Sequence, residues 1–203
     1  MSGSLFIVAA PSGSGKSTLV NALLAREPGI SLSISYTSRG PRPGEEDGKH
    51  YHFVNRETFE QMASDGDFFE YAIVHGDLKG TARQSVEPLL AAGKDVLLEI
   101  DYQGAQRVRA QVPAAVSIFI LPPSRPELER RLRSRAKDSE ATILRRLADS
   151  RKELAHAWEF DYVIVNEHFE TALAELGTIV RATRLHRRVQ KQRLKGLVDS
   201  LMA

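Results

Sequence analysis

A glycine-rich segment lies near the amino terminus, directly after an apolar run at residues 5–9. Its residues, in order, are Ala10, Pro11, Ser12, Gly13, Ser14, Gly15, Lys16, Ser17 and Thr18. A strand that ends in such a turn and continues into a helix directs several backbone N–H groups at one point, at the positive end of the helix dipole. Residues 10–18 are therefore predicted to form a phosphate cradle.

The residue types within the phosphate cradle indicate a nucleotide as the ligand. Gly13 and Gly15 permit the tight backbone, Lys16 reaches the outer phosphates, and the Ser17 hydroxyl is suited to the magnesium ion that accompanies ATP. The full pattern has glycine where this chain has Ala10. The alternative is a Gly/Ser linker with an unrelated lysine, but a linker would not need the preceding apolar run.

Length and composition favour one globular domain. The chain has 203 residues, is 42% hydrophobic and carries a formal net charge of only +2, so small anionic substrates are favoured and no nucleic-acid partner is expected. The absence of cysteine excludes disulfides, thiol catalysis and zinc–thiolate sites. We find neither a targeting segment nor an apolar run of the roughly 20 residues that span a bilayer. We therefore expect a cytoplasmic protein without a membrane partner.

The apolar runs predict an α/β fold with a parallel sheet and helices on both faces. They lie at residues 5–10, 95–100, 115–121 and 161–165, with helical patterns between them. Short strand patterns at 51–54 and 68–74 surround a helical pattern at 56–63, which indicates an inserted lobe. A polar, cation-rich interruption at 134–140 separates helical patterns at 126–133 and 141–157, as expected of a mobile cover over phosphates.

Two acids follow the second of the long apolar runs. Strand alternation sends Glu99 and Asp101 to the same side, at the edge where ligands of open α/β sheets collect. They are suited to hold magnesium through water or to accept hydrogen bonds from a substrate. Alternatively, they are solvated acids that end a strand.

Two arginines lie on a Pro/Gly-stiffened loop, and a tyrosine follows. Arg39 and Arg42 offer guanidinium groups that bind phosphate bidentately, and Tyr51 lies shortly after them. The loop is suited to a second, phosphate-bearing substrate. Alone, such a loop is usually only surface.

Taken together, several segments resemble the bacterial guanylate kinase family of P-loop nucleoside monophosphate kinases. In chain order they are APSGSGKST, TSRGPRPGE, Tyr51, FFEYA, Gly80-Thr81, LLEIDYQGA and RLRSR. The likeness covers nearly the whole chain, and members of the family commonly carry alanine at the position of Ala10. It implies phosphoryl transfer from ATP to GMP, and to dGMP, for guanine nucleotide synthesis and recycling.

The resemblance also implies a division of the single domain 1–203. The core is expected at residues 1–34, 82–125 and 158–203. The GMP-binding lobe is expected at about 35–81 and the lid at about 126–157.

On the GMP side, the resemblance implies that Arg39, Arg42 and Tyr51 clamp the acceptor phosphate. It implies that Glu70 and Asp101 accept the N1–H and N2–H groups of guanine. A carboxylate there would repel adenine, which carries a lone pair at N1.

The remaining GMP-side positions are two hydroxyls and one departure from the family. Ser35 and Thr81 match hydroxyl positions near the base. The family often has tyrosine where this chain has Lys79, which supplies a charge in place of a fixed hydroxyl.

On the ATP side, the resemblance implies that residues 10–18 bind the phosphates. The matching lid arginines, which neutralise the phosphoryl group in transfer, are Arg131, Arg135 and Arg146. Asn166 matches a loop beside the adenine, and Glu99 stands where the family usually has an acid serving the magnesium region. Lys16, Arg39 and the lid arginines are the expected catalytic cations, with Mg²⁺ as cofactor through Ser17.

Two other functions remain open at this point. One is a kinase of the same fold acting on a ribose bisphosphate, and the other is a non-catalytic guanylate-kinase-like module that binds phosphopeptides. The guanine-reading residues count against the first, and the retained Gly-Lys-Ser counts against the second. The sequence leaves a homo-oligomer possible, and we interpret the basic stretch 181–195 as a solvated tail of the last helix.

Overall fold

Nine strands and nine α-helices occur in the part of the chain that the computed structural model describes, residues 3–74, 76–134 and 139–203. In chain order the strands are β1 (Leu5–Ala9), β2 (Ile30–Leu32), β3 (Tyr36–Thr37), β4 (His52–Phe53), β5 (Phe68–Val74), β6 (Asp77–Ala82), β7 (Asp95–Glu99), β8 (Val116–Leu121) and β9 (Tyr162–Val165).

The α-helices are α1 (Lys16–Arg26), α2 (Arg56–Ser64), α3 (Glu87–Ala91), α4 (Tyr102–Gln111), α5 (Arg125–Arg133), α6 (Glu140–Leu154), α7 (Phe169–Leu185), α8 (Arg187–Arg193) and α9 (Lys195–Met202). Among the described residues, no helix has both the length and the apolar character needed to cross a bilayer.

The larger sheet is parallel and has β1 at its centre. Its strand order is β2-β7-β1-β8-β9, and every pairing is parallel. All five residues of β1 are buried: Leu5 and Ile7 belong to one apolar cluster, while Phe6 and Val8 belong to another. Because both faces are covered, the strand is a continuous apolar run. The predicted α/β fold with a parallel sheet is confirmed.

A smaller sheet forms between β2 and α3. Its order is β4-β3-β6-β5, and β5 pairs with β6 in antiparallel fashion. A separate apolar cluster supports it, formed by Phe59 of α2 with Phe68, Leu78 and Ala82. The predicted strand at 68–74 has the bounds of β5, and the predicted helix at 56–63 is one residue longer.

The bounds of α5 and α6 differ from the predicted ones. Helix α5 begins one residue early, at Arg125, because the Ser124 side chain accepts the backbone N–H of Glu127. The helix predicted for 141–157 ends at Leu154, and a separate 3₁₀ turn follows at Ala157–Glu159.

The interpretation of the basic stretch 181–195 as a solvated tail of the last helix is wrong for Arg184, which is ion-paired and mostly buried, and two further helices follow α7. Arg184 donates to Asp95 at 2.8 Å and to Glu27 at 2.9 Å, and Arg181 donates to Glu27 at 2.5 Å. The other carboxylate oxygen of Asp95 accepts the backbone N–H of Ser4 at 2.8 Å. We call these five residues the basal ion network; it joins α7 to the starts of β1 and β7 and to the end of α1.

Candidate active site

The phosphate cradle connects β1 to α1 through two glycines in the left-handed region. Gly13 has φ 94° and Gly15 has φ 87°. A Cβ atom added to Gly15 would lie 2.5 Å from Nδ2 of Asn166, so close packing also requires glycine there. Gly15 is the N-cap of α1 and has no side chain to accept the first N–H groups of the helix. These groups are suited to bind an anion.

The other cradle residues form a closed turn. The carbonyl of Pro11 accepts the backbone N–H of Ser14 at 3.1 Å, and both residues are buried. Ala10 packs against the apolar cluster that contains Phe6 and Val8. Ser12 is partly exposed and Thr18 is exposed on the first turn of α1.

Lys16 lies at the mouth of the cradle, at the carboxyl end of β7. Its Nζ donates to the carbonyl of Ile100 at 3.0 Å and lies 4.0 Å from Oε1 of Glu99. Burial lowers the pKa of Lys16, and the charges of Glu99, Asp101 and Glu153 oppose that shift. The ammonium is therefore partly buried and lies near three acids.

Ser17 and Glu99 form an oxygen donor pair beside Lys16. The Ser17 hydroxyl donates a hydrogen bond to Oε1 of Glu99. Mg²⁺ prefers oxygen ligands and often takes only one or two from protein, with waters and phosphates completing its shell. Within the described ranges, no group of three or more His, Asp or Glu side chains could hold a metal by itself. The pair fits an ion that arrives with a nucleotide.

Asp101 and Glu99 emerge at the same edge of the larger sheet, as predicted, and the charges of both act on Lys16. Strand β7 ends at Glu99, and Asp101 becomes the N-cap of α4, where its Oδ1 accepts the backbone N–H of Gly104 at 2.8 Å. Strand alternation no longer applies once the helix cap begins. Glu99 accepts a hydrogen bond from Ser17 of the cradle, whereas Asp101 lines a cleft with Ser12 and also lies near Glu70, whose pKa is raised by burial and by the Asp101 charge.

The predicted acceptor-phosphate residues converge around one aromatic ring. The guanidinium of Arg39 lies 5.5 Å from the ring centre of Tyr51, and Nζ of Lys79 lies 5.1 Å from the same centre. Lys79 also donates to the Tyr51 hydroxyl at 3.3 Å. The side chain of Arg42 is exposed on the adjoining loop. Two cations, Arg39 and Lys79, therefore lie beside Tyr51, and Arg42 follows on the same loop.

Glu45 orients this cluster, and the sequence analysis missed it. Its two carboxylate oxygens accept bonds from Arg39 at 2.8 and 2.9 Å, and Oε2 also accepts the backbone N–H of Arg42 at 2.7 Å. The side-chain hydrogen bonds from Arg39, with the N–H of Arg42, lower the pKa of Glu45 to about 2. An acid within the same Pro/Gly loop was the available signal, because a bidentate arginine needs a carboxylate or phosphate partner.

Glu70 and Thr81 form a buried acceptor on the smaller sheet. The Thr81 hydroxyl donates to Oε1 of Glu70 at 2.7 Å, and only 9% of Glu70 is exposed. Burial raises the pKa of Glu70, and the bond from Thr81 opposes that rise. Ser35, between β2 and β3, is partly buried, and its carbonyl accepts the N–H of His52 at 2.9 Å.

Helix α5 and the loop after β9 also contact the cradle. Arg131 donates to Glu127 at 2.7 Å and to the carbonyl of Asn166 at 3.1 Å. The side chain of Asn166 donates to the carbonyl of Ser14 at 2.7 Å. Asn166 thus holds the backbone of the cradle, a contact that the sequence did not indicate. Arg135 lies outside the described residues.

Helix α6 brings a second unpredicted acid toward the cradle. Arg146 and Glu153 line a cleft of about 380 Å³ together with Ser12 and Asp101. Burial raises the pKa of Glu153, while the backbone N–H of Ser12 and the charge of Lys16 lower it. Glu153 lies two helical turns after Arg146, and this spacing on one helix face was the available signal.

Comparison with known proteins gives a consistent result. The family model described as "Guanylate kinase" matches residues 2–183. Guanylate kinase from Xanthomonas oryzae pv. oryzae is 62% identical over 202 residues, covering 100% of both chains. Guanylate kinase from Xylella fastidiosa is 60% identical, covering 100% of this chain and 99% of the relative. The crystal structure of guanylate kinase from Anaplasma phagocytophilum has a TM-score of 0.74 and 36% identity, covering 91% of this chain and 88% of that one.

Proposed function

The chain belongs to the guanylate kinase family, and we propose that it transfers the γ-phosphoryl group of ATP to GMP, giving ADP and GDP. One observation carries this function beyond family membership. Ser12 of the cradle and Asp101, one of the two acids suited to guanine, line the same cleft, and the charge of Asp101 acts on the buried Glu70. This arrangement would bring a donor phosphate and an acceptor nucleotide to one place.

The acceptor phosphate would bind among Arg39, Arg42, Tyr51 and Lys79. Glu45 fixes the fork of Arg39, so the arginine loses little conformational entropy when a phosphate binds. The second pKa of a phosphate monoester is about 6, so at neutral pH its oxygens are already anionic and no general base is needed.

Guanine would be recognised by Glu70 and Asp101, with the hydroxyls of Ser35 and Thr81 near the base. Thr81 occupies one oxygen of Glu70 and leaves the other for a donor. Guanine presents N–H donors at N1 and N2, whereas adenine presents a lone pair at N1 that a carboxylate repels. An adenine acceptor would leave buried carboxylate oxygens unpaired, which disfavours it strongly.

The donor nucleotide would bind in the cradle, with its phosphates on the first N–H groups of α1. Lys16 and the lid arginines Arg131, Arg135 and Arg146 would stabilise the charge that spreads over the phosphoryl group in the transition state. Asn166 supports the cradle through its bond to Ser14, as well as lying on the loop assigned to the adenine.

Ser17 and Glu99 would hold the magnesium ion, Ser17 directly and Glu99 through water. When bound, the ion neutralises charge on the β- and γ-phosphates. The contact between these two side chains supports the assignment, because it brings a hydroxyl and a carboxylate oxygen together at the cradle. Oε1 of Glu99 also lies 4.0 Å from Nζ of Lys16, so the lysine lies beside the proposed magnesium position.

We propose that residues 35–81 act as the GMP-binding lobe and 126–157 as the lid, with the core at 1–34, 82–125 and 158–203. The packing of α6 supports a hinged lid. Leu154, its last residue, packs against the core, whereas Ile143 and Leu147 pack with Leu128 and Leu132 of α5. Closure of the lid would exclude water that otherwise hydrolyses ATP.

The test is ADP production by the purified protein with Mg-ATP and each of GMP, dGMP, AMP, CMP, UMP and ribose 1,5-bisphosphate. We expect turnover with GMP and dGMP and at least about 100-fold lower kcat/KM with the other acceptors. Turnover with the sugar bisphosphate alone would replace the proposal by a ribose bisphosphate kinase. If no acceptor gives ADP production, the result would indicate a non-catalytic binding module.

A separate prediction concerns Lys79, the departure from the family's usual tyrosine. Replacing Lys79 with methionine should raise KM for GMP about 10-fold, because a charge-assisted contact to the acceptor phosphate is lost. KM for ATP should change less than about twofold, since Lys79 contacts Tyr51 and not the cradle. Steady-state kinetics at two salt concentrations measure this. Salt should raise KM for GMP more steeply in the unmodified protein than in the variant.

An exposed lysine at the start of β7 offers a matched control. Lys94→Met removes the same charge far from the acceptor side and should leave both KM values unchanged. An unaltered KM for GMP in the Lys79 variant would remove Lys79 from the acceptor site.

A further inference from the structure

The first turn of α4 separates the two carboxylates assigned to guanine, and a glycine lies between them. Gly104 is buried, and its backbone N–H donates to Oδ1 of Asp101 at 2.8 Å. On the other side of the same residue lies the carboxylate of Glu70, from β5. One backbone position therefore contacts both acids.

The space beside Gly104 is tight for a side chain. A Cβ atom added there would lie 3.1 Å from Oε2 of Glu70, 3.3 Å from its Cδ and 3.4 Å from Cβ of Ile100. Glu70 cannot easily withdraw, because it is 9% exposed and its Oε1 accepts the Thr81 hydroxyl at 2.7 Å. A methyl group would thus require the Glu70 carboxylate or the first turn of α4 to shift by a few tenths of an ångström.

Backbone conformation does not account for this glycine. Gly104 lies in the first turn of α4, and it is absent from the glycines with positive φ among the described residues. At a helical position of this kind, alanine is more stable than glycine. The missing side chain is therefore explained by the approach of Glu70 and not by a turn.

We propose that Gly104 is a specificity-determining positioning residue, which holds Asp101 through its N–H and admits Glu70 through its missing side chain. This inference rests on the proposed function, in which the two acids accept the N–H groups of guanine. The spacing between their oxygens must match the spacing of N1 and N2 on the base. Gly104 sets that spacing because it touches both groups.

The test is Gly104→Ala in the full chain, with kinetics for GMP and ATP and a thermal melt. We expect KM for GMP to rise about 10-fold or more, because the donors of the base no longer meet both acids at bonding distance. We expect kcat at saturating GMP and KM for ATP to change less than about twofold. A purely structural glycine gives a different result: alanine would raise Tm and leave KM for GMP unchanged.

Gly196→Ala is the matched control. Gly196 is also within a helix, α9, but a Cβ atom there would meet nothing within 4 Å. It should show the helical effect of alanine on Tm with no kinetic change. An unchanged KM for GMP in the Gly104 variant, with the unmodified protein active on GMP, would overturn the inference and leave the proposed function intact.

A double-mutant cycle keeps the inference testable if the alanine variant melts early. Glu70→Asp shortens the opposing side chain by one methylene and makes room for the added methyl group. Gly104→Ala should therefore raise the dissociation constant for GMP much less in the Glu70→Asp background than in the original chain. If Gly104→Ala raises the dissociation constant for GMP by the same factor in both backgrounds, the proposed contact is contradicted. If the unmodified protein does not prefer GMP over AMP, the proposed function itself fails.

Discussion

Replacing Lys16 with methionine should lower kcat for GMP phosphorylation about a thousandfold while the protein stays folded. The effect is large because the reaction brings two anions together and Lys16 is the cation at the mouth of the cradle. Its Nζ donates to the Ile100 carbonyl at 3.0 Å and its side chain is mostly buried, so its charge acts on phosphate with less screening than an exposed lysine would have. Methionine keeps a similar length and apolar volume but removes the charge.

Single-turnover and steady-state kinetics with Mg-ATP and GMP would measure this loss, and a thermal melt would check the fold. Because Lys16 is assigned to the transition state, kcat should fall more than the KM for either substrate rises. Lys94→Met, on the exposed start of β7, is the control and should keep full activity. A folded Lys16 variant with more than a tenth of the original kcat would exclude Lys16 from the transition state.

Replacing Glu70 with glutamine should reduce kcat/KM for GMP about 100-fold and narrow the preference for GMP over AMP. Thr81 donates to one oxygen of Glu70, so the amide oxygen of glutamine would take that place. Its NH₂ group would then face the N–H donors of guanine, which leaves two donors opposed. The shape of the pocket is preserved, so the change should affect recognition and not folding.

The pH profile provides a second measurement of Glu70. Burial raises the pKa of this carboxyl above its ordinary value of 4.5. As pH falls through the raised pKa, the carboxylate gains a proton and stops accepting from guanine, so kcat/KM for GMP should fall at a higher pH than an exposed glutamate would give. The pH profile of the Glu70→Gln variant should lack this decline and show only the one caused by protonation of the GMP phosphate. Glu175→Gln, at an exposed position of α7, is the control, and its pH profile should show both declines.

The phosphate cradle could be predicted from sequence because its determinants are contiguous. A buried strand, two glycines and a helix start all fall within residues 5–18, and local backbone geometry decides their arrangement. The same holds for the parallel sheet, since strands covered on both faces leave uninterrupted apolar runs.

Contacts between distant segments could not be predicted in this way. Glu153 reaches the cradle from α6, and Gly104 faces Glu70 across a gap of more than 30 residues in the chain. The role of Asp101 as the N-cap of α4 depends on where β7 ends, which strand periodicity does not reveal. From the sequence alone, Arg184 is expected to be a surface cation; the fold places it beside Asp95, which accepts its hydrogen bond.

The basal ion network has a consequence for how the chain is made. The central strand β1 leaves the ribosome early, yet its neighbours in the sheet are residues 95–99 and 116–121, and the N–H of Ser4 is tied through Asp95 to Arg184. The newly made amino-terminal strand must therefore remain unpaired at least until residues 95–99 have been synthesised, and its link through Asp95 to Arg184 can form only after residue 184 has emerged. We expect the nascent chain to bind chaperones until about residue 184 has emerged, and to gain the ability to bind nucleotide only near the end of translation.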